Sequence, residues 1–214
     1  MIRLATVVAS LYAAIYYLGR TWGSRPEERG RRLSGDEIVP SAKLVTDHAI
    51  TIDAPPERVW PWLLQVGWGR AGWYTYRWVD RLLFPNNAPS ARRILPQFQS
   101  LEAGDEVPDG PPESGCFFVV ERMEADRLLV LHSTTHLPAK LLRDPRVALS
   151  WTWTFTLDPE PGGRTRYHFR VRLNVRPLWL LVASHLFIVP ADFLMARSMC
   201  KGLKERVESM AIES

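Results

Sequence analysis

Two cysteines in 214 residues, Cys116 and Cys200, stand far apart and outside any CxxC spacing. They make neither a disulfide framework nor a structural zinc site, and read as reduced, cytosol-facing thiols. Equally missing are a P-loop, a dinucleotide fingerprint, a zinc finger, a G-x-S-x-G elbow and an HExxH helix. No cofactor and no metal is therefore expected. Charge of one sign is also in short supply: 27 Lys and Arg face 23 Asp and Glu, a net +4. That balance suits an anionic surface and gives no reason to expect nucleic acid as a partner. Long disordered tracts are excluded by a composition 46% hydrophobic and 23% charged, ordinary for a globular protein. The chain does have nine Trp and seventeen Pro, and many of the Trp fall at strand or helix spacing.

The first apolar run, residues 4–18, carries no charge and is bounded by Arg3 and Arg20. As a helix the sixteen or so uncharged positions between those arginines span about 24 Å at ~1.5 Å each, against a hydrocarbon core of about 30 Å. Tyr12, Tyr16 and Tyr17 cluster towards one end, as interfacial aromatics do. A membrane anchor over residues 1–20 is the reading adopted; a signal peptide and a buried core helix compete with it, the former without a convincing cleavage site. Arg20, Arg25, Arg29, Arg31 and Arg32 follow the segment. The positive-inside rule then gives a single-pass protein of the cell membrane with its domain on the cytoplasmic side. The same arginines suit anionic headgroups, and residues 21–42 read as a solvated basic linker.

Residues 43–214 read as one folded domain. Residues 44–53 form a first strand, ended by Ala54-Pro55-Pro56. Residues 57–66 follow with Val59, Trp60, Leu63 and Leu64 at helical spacing, and residues 73–84 as a second short helix. Period-two patterning then predicts strands at 101–107, 116–123, 128–135, 149–157 and 164–174. Over the last two, Trp151, Trp153, Phe155, Tyr167 and Phe169 face one way. Thr152, Thr154, Arg166, His168, Arg170 and Arg172 face the other, which predicts one buried and one wet face. A long helix closes the chain to about residue 210, its stripe including Phe193, Ala196, Met199 and Cys200. Residues 178–195 have the length of a second span but contain His185, Pro190 and Asp192, so a domain helix is preferred.

The chain resembles the SRPBCC superfamily, the START and Bet v 1-like helix-grip proteins that include polyketide cyclase/dehydrase and lipid-transport members. The resemblance rests on ITIDAPPERVWPWLLQVG (residues 50–67), GWYTYRWVDRL (72–82), LEAGDEV (101–107) and PADFLMARSMCKGLKERVE (190–208). It implies an α+β fold: a curved antiparallel sheet of six or seven strands around a long C-terminal helix, with two short helices after strand 1, here preceded by the N-terminal hydrophobic helix. It also implies a cavity for a lipid-, polyketide- or terpenoid-like molecule, and no shared catalytic set. The hollow between sheet and helix is the natural ligand site. Its candidate lining is Trp73, Tyr74, Tyr76, Trp151, Trp153, Phe155, Tyr167, Phe169, Phe193 and Met199.

A hydrophobic-ligand binder is the first expectation; a cyclase or dehydratase and a packed structural protein are the alternatives. For the enzyme, His132 with Glu121 is the weak catalytic pair, because pairing across Ala125-Asp126 puts them on one face. That face is the more polar one, so His132 also reads as a surface histidine. His136 lies about 13 Å further along an extended strand, too far for joint metal ligation unless the chain bends after Thr134.

Overall fold

The computed structural model describes residues 2–209. Helix α1 (Ile2–Thr21) comes first, and the short α2 (Pro26–Gly30) follows. Strand β1 (Leu44–Ile52) leads to α3 (Pro56–Leu64), where Pro56 opens the helix and needs no N–H partner. The second short helix, α4 (Arg77–Leu83), begins four residues later than the sequence predicts. Residues 73–76 are instead loop, with Tyr74 at φ 60°. Close approach explains this: a Cβ on Gly202 would lie 1.8 Å from the Tyr74 carbonyl oxygen. Only glycine lets this loop sit on the last helix.

The sheet follows with β2 (Glu106–Pro108), β3 (Phe117–Glu124) and β4 (Leu128–Ser133). After α5 (Ala139–Leu142) come the long β5 (Ala148–Glu160) and β6 (Arg164–Arg176). Most of the strand expected at 101–107 is loop, because Gly104 and Asp105 turn there to meet Val120. Six antiparallel strands stand in the order β1-β6-β5-β4-β3-β2. The closing helix is continuous: α6 (Leu178–Ala183), a π turn over Ser184–Ile188, and α7 (Val189–Ser209). The predicted end at Met210 lies outside the described residues.

The inner face is the predicted one. Phe155 pairs with Phe169 and Leu157 with Tyr167 across β5 and β6. Ala196, Met199, Cys200, Leu203 and Val207 of α7 are buried over them. Element order, sheet and C-terminal helix together are the helix grip.

The outer face corrects the expectation. Arg166, His168, Arg170, Thr152 and Thr154 are buried rather than wet, because residues 22–43 are a strap laid across them and not a solvated linker. Arg170 donates to the carbonyl oxygens of Glu28 (2.9 Å), Arg29 (3.1 Å) and Arg31 (2.7 Å) and pairs with Asp47 and Asp36. Arg172 donates to the Val39 and Pro40 carbonyls, and Arg166 to that of Gly23 and to the Glu28 carboxylate. A guanidinium has five N–H groups to satisfy, and an irregular segment has unpaired carbonyls to offer. Leu33 and Val39 pin the strap with buried side chains.

Helix α1 runs beside the closing helix in the same direction. Tyr16 meets His185 Nδ1 at 2.7 Å, Gly19 lies against Val189 and Phe193, and Arg197 stands over the Trp22 ring. Small Gly19 lets the two helices close: a Cβ there would be 3.1 Å from a Val189 methyl. Among the described residues, Leu178–Ser209 is the helix long and apolar enough to cross a membrane by length and composition.

Burial raises the Glu28 pKa, but hydrogen bonds from Arg166 and the Arg25 amide, with the Arg166 charge, outweigh it and hold the group at about 2, against 4.5 when free. A depressed carboxylate contributes stability that is complete above pH 4.5 and is lost as pH falls towards 2. Glu28→Gln is expected to cost ~1–3 kcal/mol near neutrality and to flatten the acid limb of unfolding free energy measured by denaturant titration.

Candidate functional site

The interior of the grip is a stack of rings. Trp153 is 4.9 Å from Trp73, 4.7 Å from Phe118 and 5.3 Å from Phe169, centroid to centroid. Phe155 stacks on Phe169 at 4.7 Å and on Tyr167 at 6.1 Å. These contacts fill much of the hollow. Five surface pockets of about 170 to 480 Å³ open elsewhere and include none of these rings in their walls.

The polar tips distinguish this interior from an inert core. The indole nitrogens of Trp151 and Trp153 and the hydroxyl of Tyr167 are buried and make no hydrogen bond among the described residues. Burial pushes the Tyr167 pKa up, so the phenol keeps its proton. Each unmet donor costs about 1–3 kcal/mol, and three of them share one sheet–helix layer. Tyr74, in contrast, is satisfied by the Trp62 carbonyl at 2.7 Å.

At one end of this layer lies a buried acid–base relay. The chain turns after β4, and Thr135 ties Phe117 of β3 through both backbone groups, which swings His136 inwards over Phe118 and Trp151. His136 Nε2 is 2.9 Å from Asp109 Oδ2, and its Nδ1 is 2.7 Å from the Ser133 hydroxyl. Asp109 lies just after β2, and its pKa is raised by burial, against which the His136 contact and the Trp73 indole pull it down. The Trp73 indole lies beside this carboxylate, so its N–H has an acceptor nearby. A carboxylate–imidazole pair walled by aromatic rings can hold a proton and pass it to a bound group.

The sequence-predicted residues divide between this site and other places. Trp73, Trp153, Phe155, Tyr167, Phe169 and Met199 meet in the interior, with Tyr74 beneath and Trp151 half-buried at the relay. Tyr76 does not join them: its hydroxyl reaches Glu205 on the outside of α7. Phe193 turns towards α1 at Gly19. His132 does pair with Glu121, at 3.0 Å, and with Ser150, but on the outer face, away from the interior. Asp105 caps its own turn by accepting from the Glu102 amide.

Asp109 escaped the sequence reading because Asp109-Gly110 reads as an ordinary turn. A second buried pair escaped it too: His48 Nε2 lies 3.1 Å from Asp192 Oδ2, which also accepts from Thr46, between β1 and α7. Among the described residues no group of three or more His, Cys, Asp or Glu is placed to hold a metal ion.

No protein-family model matches the chain, and no curated protein matches it. Solved structures do. A protein from Arthrobacter aurescens aligns with TM-score 0.44 and 15% identity over 76% of this chain and 87% of its own. The Zhui aromatase/cyclase of a Streptomyces species gives 0.42 and 13%, over 78% and 95%. A point mutant of norcoclaurine synthase from Thalictrum flavum, solved with a transition-state analogue, gives 0.40 and 15%, over 76% and 94%. The likeness is one of fold.

The His136–Asp109 and His132–Glu121 pairs differ in burial, which sets their worth. Asp109→Ala strands the buried His136 and is expected to lower stability by about 1–3 kcal/mol. Glu121→Ala removes a partly exposed contact and is expected to cost under ~1 kcal/mol. Thermal melts of the two variants check the contrast.

Proposed function

We propose that this protein binds a hydrophobic small molecule, lipid-, polyketide- or terpenoid-like, between the sheet and the closing helix while held at a membrane. The observation that carries the reading is the set of unpartnered donors on Trp151, Trp153 and Tyr167. Buried polar groups in folded proteins are nearly always hydrogen-bonded, and each exception calls for a partner, a bound ligand among them. A ligand with a carbonyl or hydroxyl oxygen satisfies such donors, and its carbon skeleton replaces ring–ring contact with ring–ligand contact. Admission requires the rings to shift, and half-buried Trp151 is the member with room to do so.

The Asp109–His136–Ser133 relay favours a second reading, a cyclase or dehydratase in which His136 moves the proton and Asp109 orients the imidazole. His132 and Glu121 lie on the other side of the sheet and have no place in that chemistry.

Two features support the membrane. Side chains 6–14 of α1 are exposed in an unbroken run, so over more than two turns this apolar helix is largely uncovered. Such a helix is at home in a larger core or in lipid. Its 20 residues give about 30 Å, the thickness of a hydrocarbon core. Beside it, Leu178 and Phe187 each expose 72% of their surface, with Trp179, Val182 and Leu186 between them. His185, the titratable group in this stretch, is covered by Tyr16, and its carbonyl by the Tyr12 hydroxyl. A domain on the cytoplasmic side is the orientation that the arginines after α1 favour.

Native mass spectrometry of the full-length chain from mild detergent tests the ligand reading. One retained hydrophobe per chain is expected, and Tyr167→Phe is expected to reduce its retention several-fold without loss of folding. A folded chain that is always empty would leave a filled structural core. A hydrophobe recovered chemically altered by wild type and unaltered by His136→Gln would favour the enzyme. For the membrane, Leu178→Ser combined with Phe187→Ser is expected to cut co-flotation with phosphatidylcholine vesicles by more than half; unchanged flotation would restrict lipid contact to α1.

A further inference from the structure

A pocket of about 480 Å³ lies on the convex side, between the last turn of α1, the strap and strands β1 and β6. Six arginines line it: Arg20, Arg29, Arg31, Arg32, Arg170 and Arg172. Two carboxylates, Asp36 and Asp47, share the wall. The carboxylates are already matched. Asp47 is held by His168 and Arg170, and Asp36 by Arg170, Arg172 and the Leu33 amide, one of its oxygens lacking a hydrogen bond.

The arginines are not matched to the same degree. Arg170 and Arg172 spend their donors on the strap, and Arg31 reaches outward to Asp158 at 2.7 Å. Arg29 uses one terminal nitrogen on Ser24, and Arg20 chiefly its Nε on the Val45 carbonyl. Exposed Arg32 makes no hydrogen bond or ion pair among the described residues, its charge being felt at Glu37. Three guanidinium groups thus bring spare N–H donors to one concavity whose negative charge is already spent. Like charges held together in this way repel, and an anion with several oxygens relieves the repulsion while accepting forked hydrogen bonds.

We propose that this pocket binds a phosphate group, as a phosphomonoester or phosphodiester. The inference rests on the convex face and is independent of what the grip interior holds. Two sources share this chemistry. Arg20 and Thr21 are the last residues of α1, so a chain inserted through that helix presents the pocket near lipid headgroups; a soluble phosphate reaches the same donors from water.

The test uses the full-length chain in detergent and on vesicles. Calorimetric titration with inorganic phosphate is expected to show one saturable site that weakens with salt. Arg32→Gln, which breaks no contact, is expected to weaken it by about tenfold with unchanged melting temperature, and Arg29→Gln, which also gives up the Ser24 contact, by a similar factor. Flotation is then compared on phosphatidylcholine vesicles and on the same vesicles carrying phosphatidic acid. A gain from phosphatidic acid that Arg32→Gln abolishes, with flotation on neutral vesicles intact, identifies a headgroup. Phosphate binding without that gain identifies a soluble phosphate. Absence of both, or anion binding indifferent to both substitutions, overturns the proposal.

Discussion

Arg170 is the residue on which the rest of the molecule leans. Its guanidinium is buried in the middle of the sheet's outer face, where an unpaired charge is costly enough to unfold a domain. Five acceptors resolve this: Asp47 from the neighbouring strand, Asp36, and three main-chain carbonyls from the strap. Removing one side of such an arrangement typically costs about 3–5 kcal/mol, so the strap cannot lift away cheaply. The strap begins where α1 ends. Fixing it therefore fixes the direction of α1, which brings Tyr16 to His185 and lays two apolar helices side by side.

The same constraint divides the protein's chemistry between its two faces. With the outer face sealed by polar contacts, the inner face is free to be aromatic, and its unmet donors look into the grip. Where the strap, α1 and the sheet meet, the surplus of arginine over carboxylate gathers in one pocket. A hydrophobic ligand and an anionic one would thus be read by different surfaces of one sheet, separated by its thickness and linked through β6, which supplies Tyr167 and Phe169 inwards and Arg170 and Arg172 outwards.

The sheet and closing helix were legible because periodicity is a local signal. Alternation over β5 and β6 sorted the inward rings from the outward polar residues, and the His132–Glu121 contact came from counting across one turn. What alternation cannot report is what covers a polar face. An arginine row looks the same under water or under carbonyls, and a strap whose work is done by main-chain oxygens has no pattern of side chains to read. Tyr76 and Phe193 were misplaced for a related reason. Helical spacing was extended through Trp73 and Tyr74, whereas the positive φ of Tyr74 resets the direction in which Thr75 and Tyr76 face. Phe193, at the start of the stripe on α7, meets α1 at Gly19 instead, a neighbour that the helix's own spacing does not report. Asp109 gave no signal at all, since its partner arrives from another strand end.

Residues 22–43 belong to the folded domain, and amide hydrogen exchange on the full-length chain in lipid nanodiscs reads this directly. The strap amides that bond within the structure, Asp36 to the Leu33 carbonyl, Ala42 to Val39 and Lys43 to Leu173, are expected to exchange as slowly as those of β6 and to accelerate together when Arg170 is replaced. Exchange of this segment at the rate of an unstructured chain, with β6 still protected, would contradict the account.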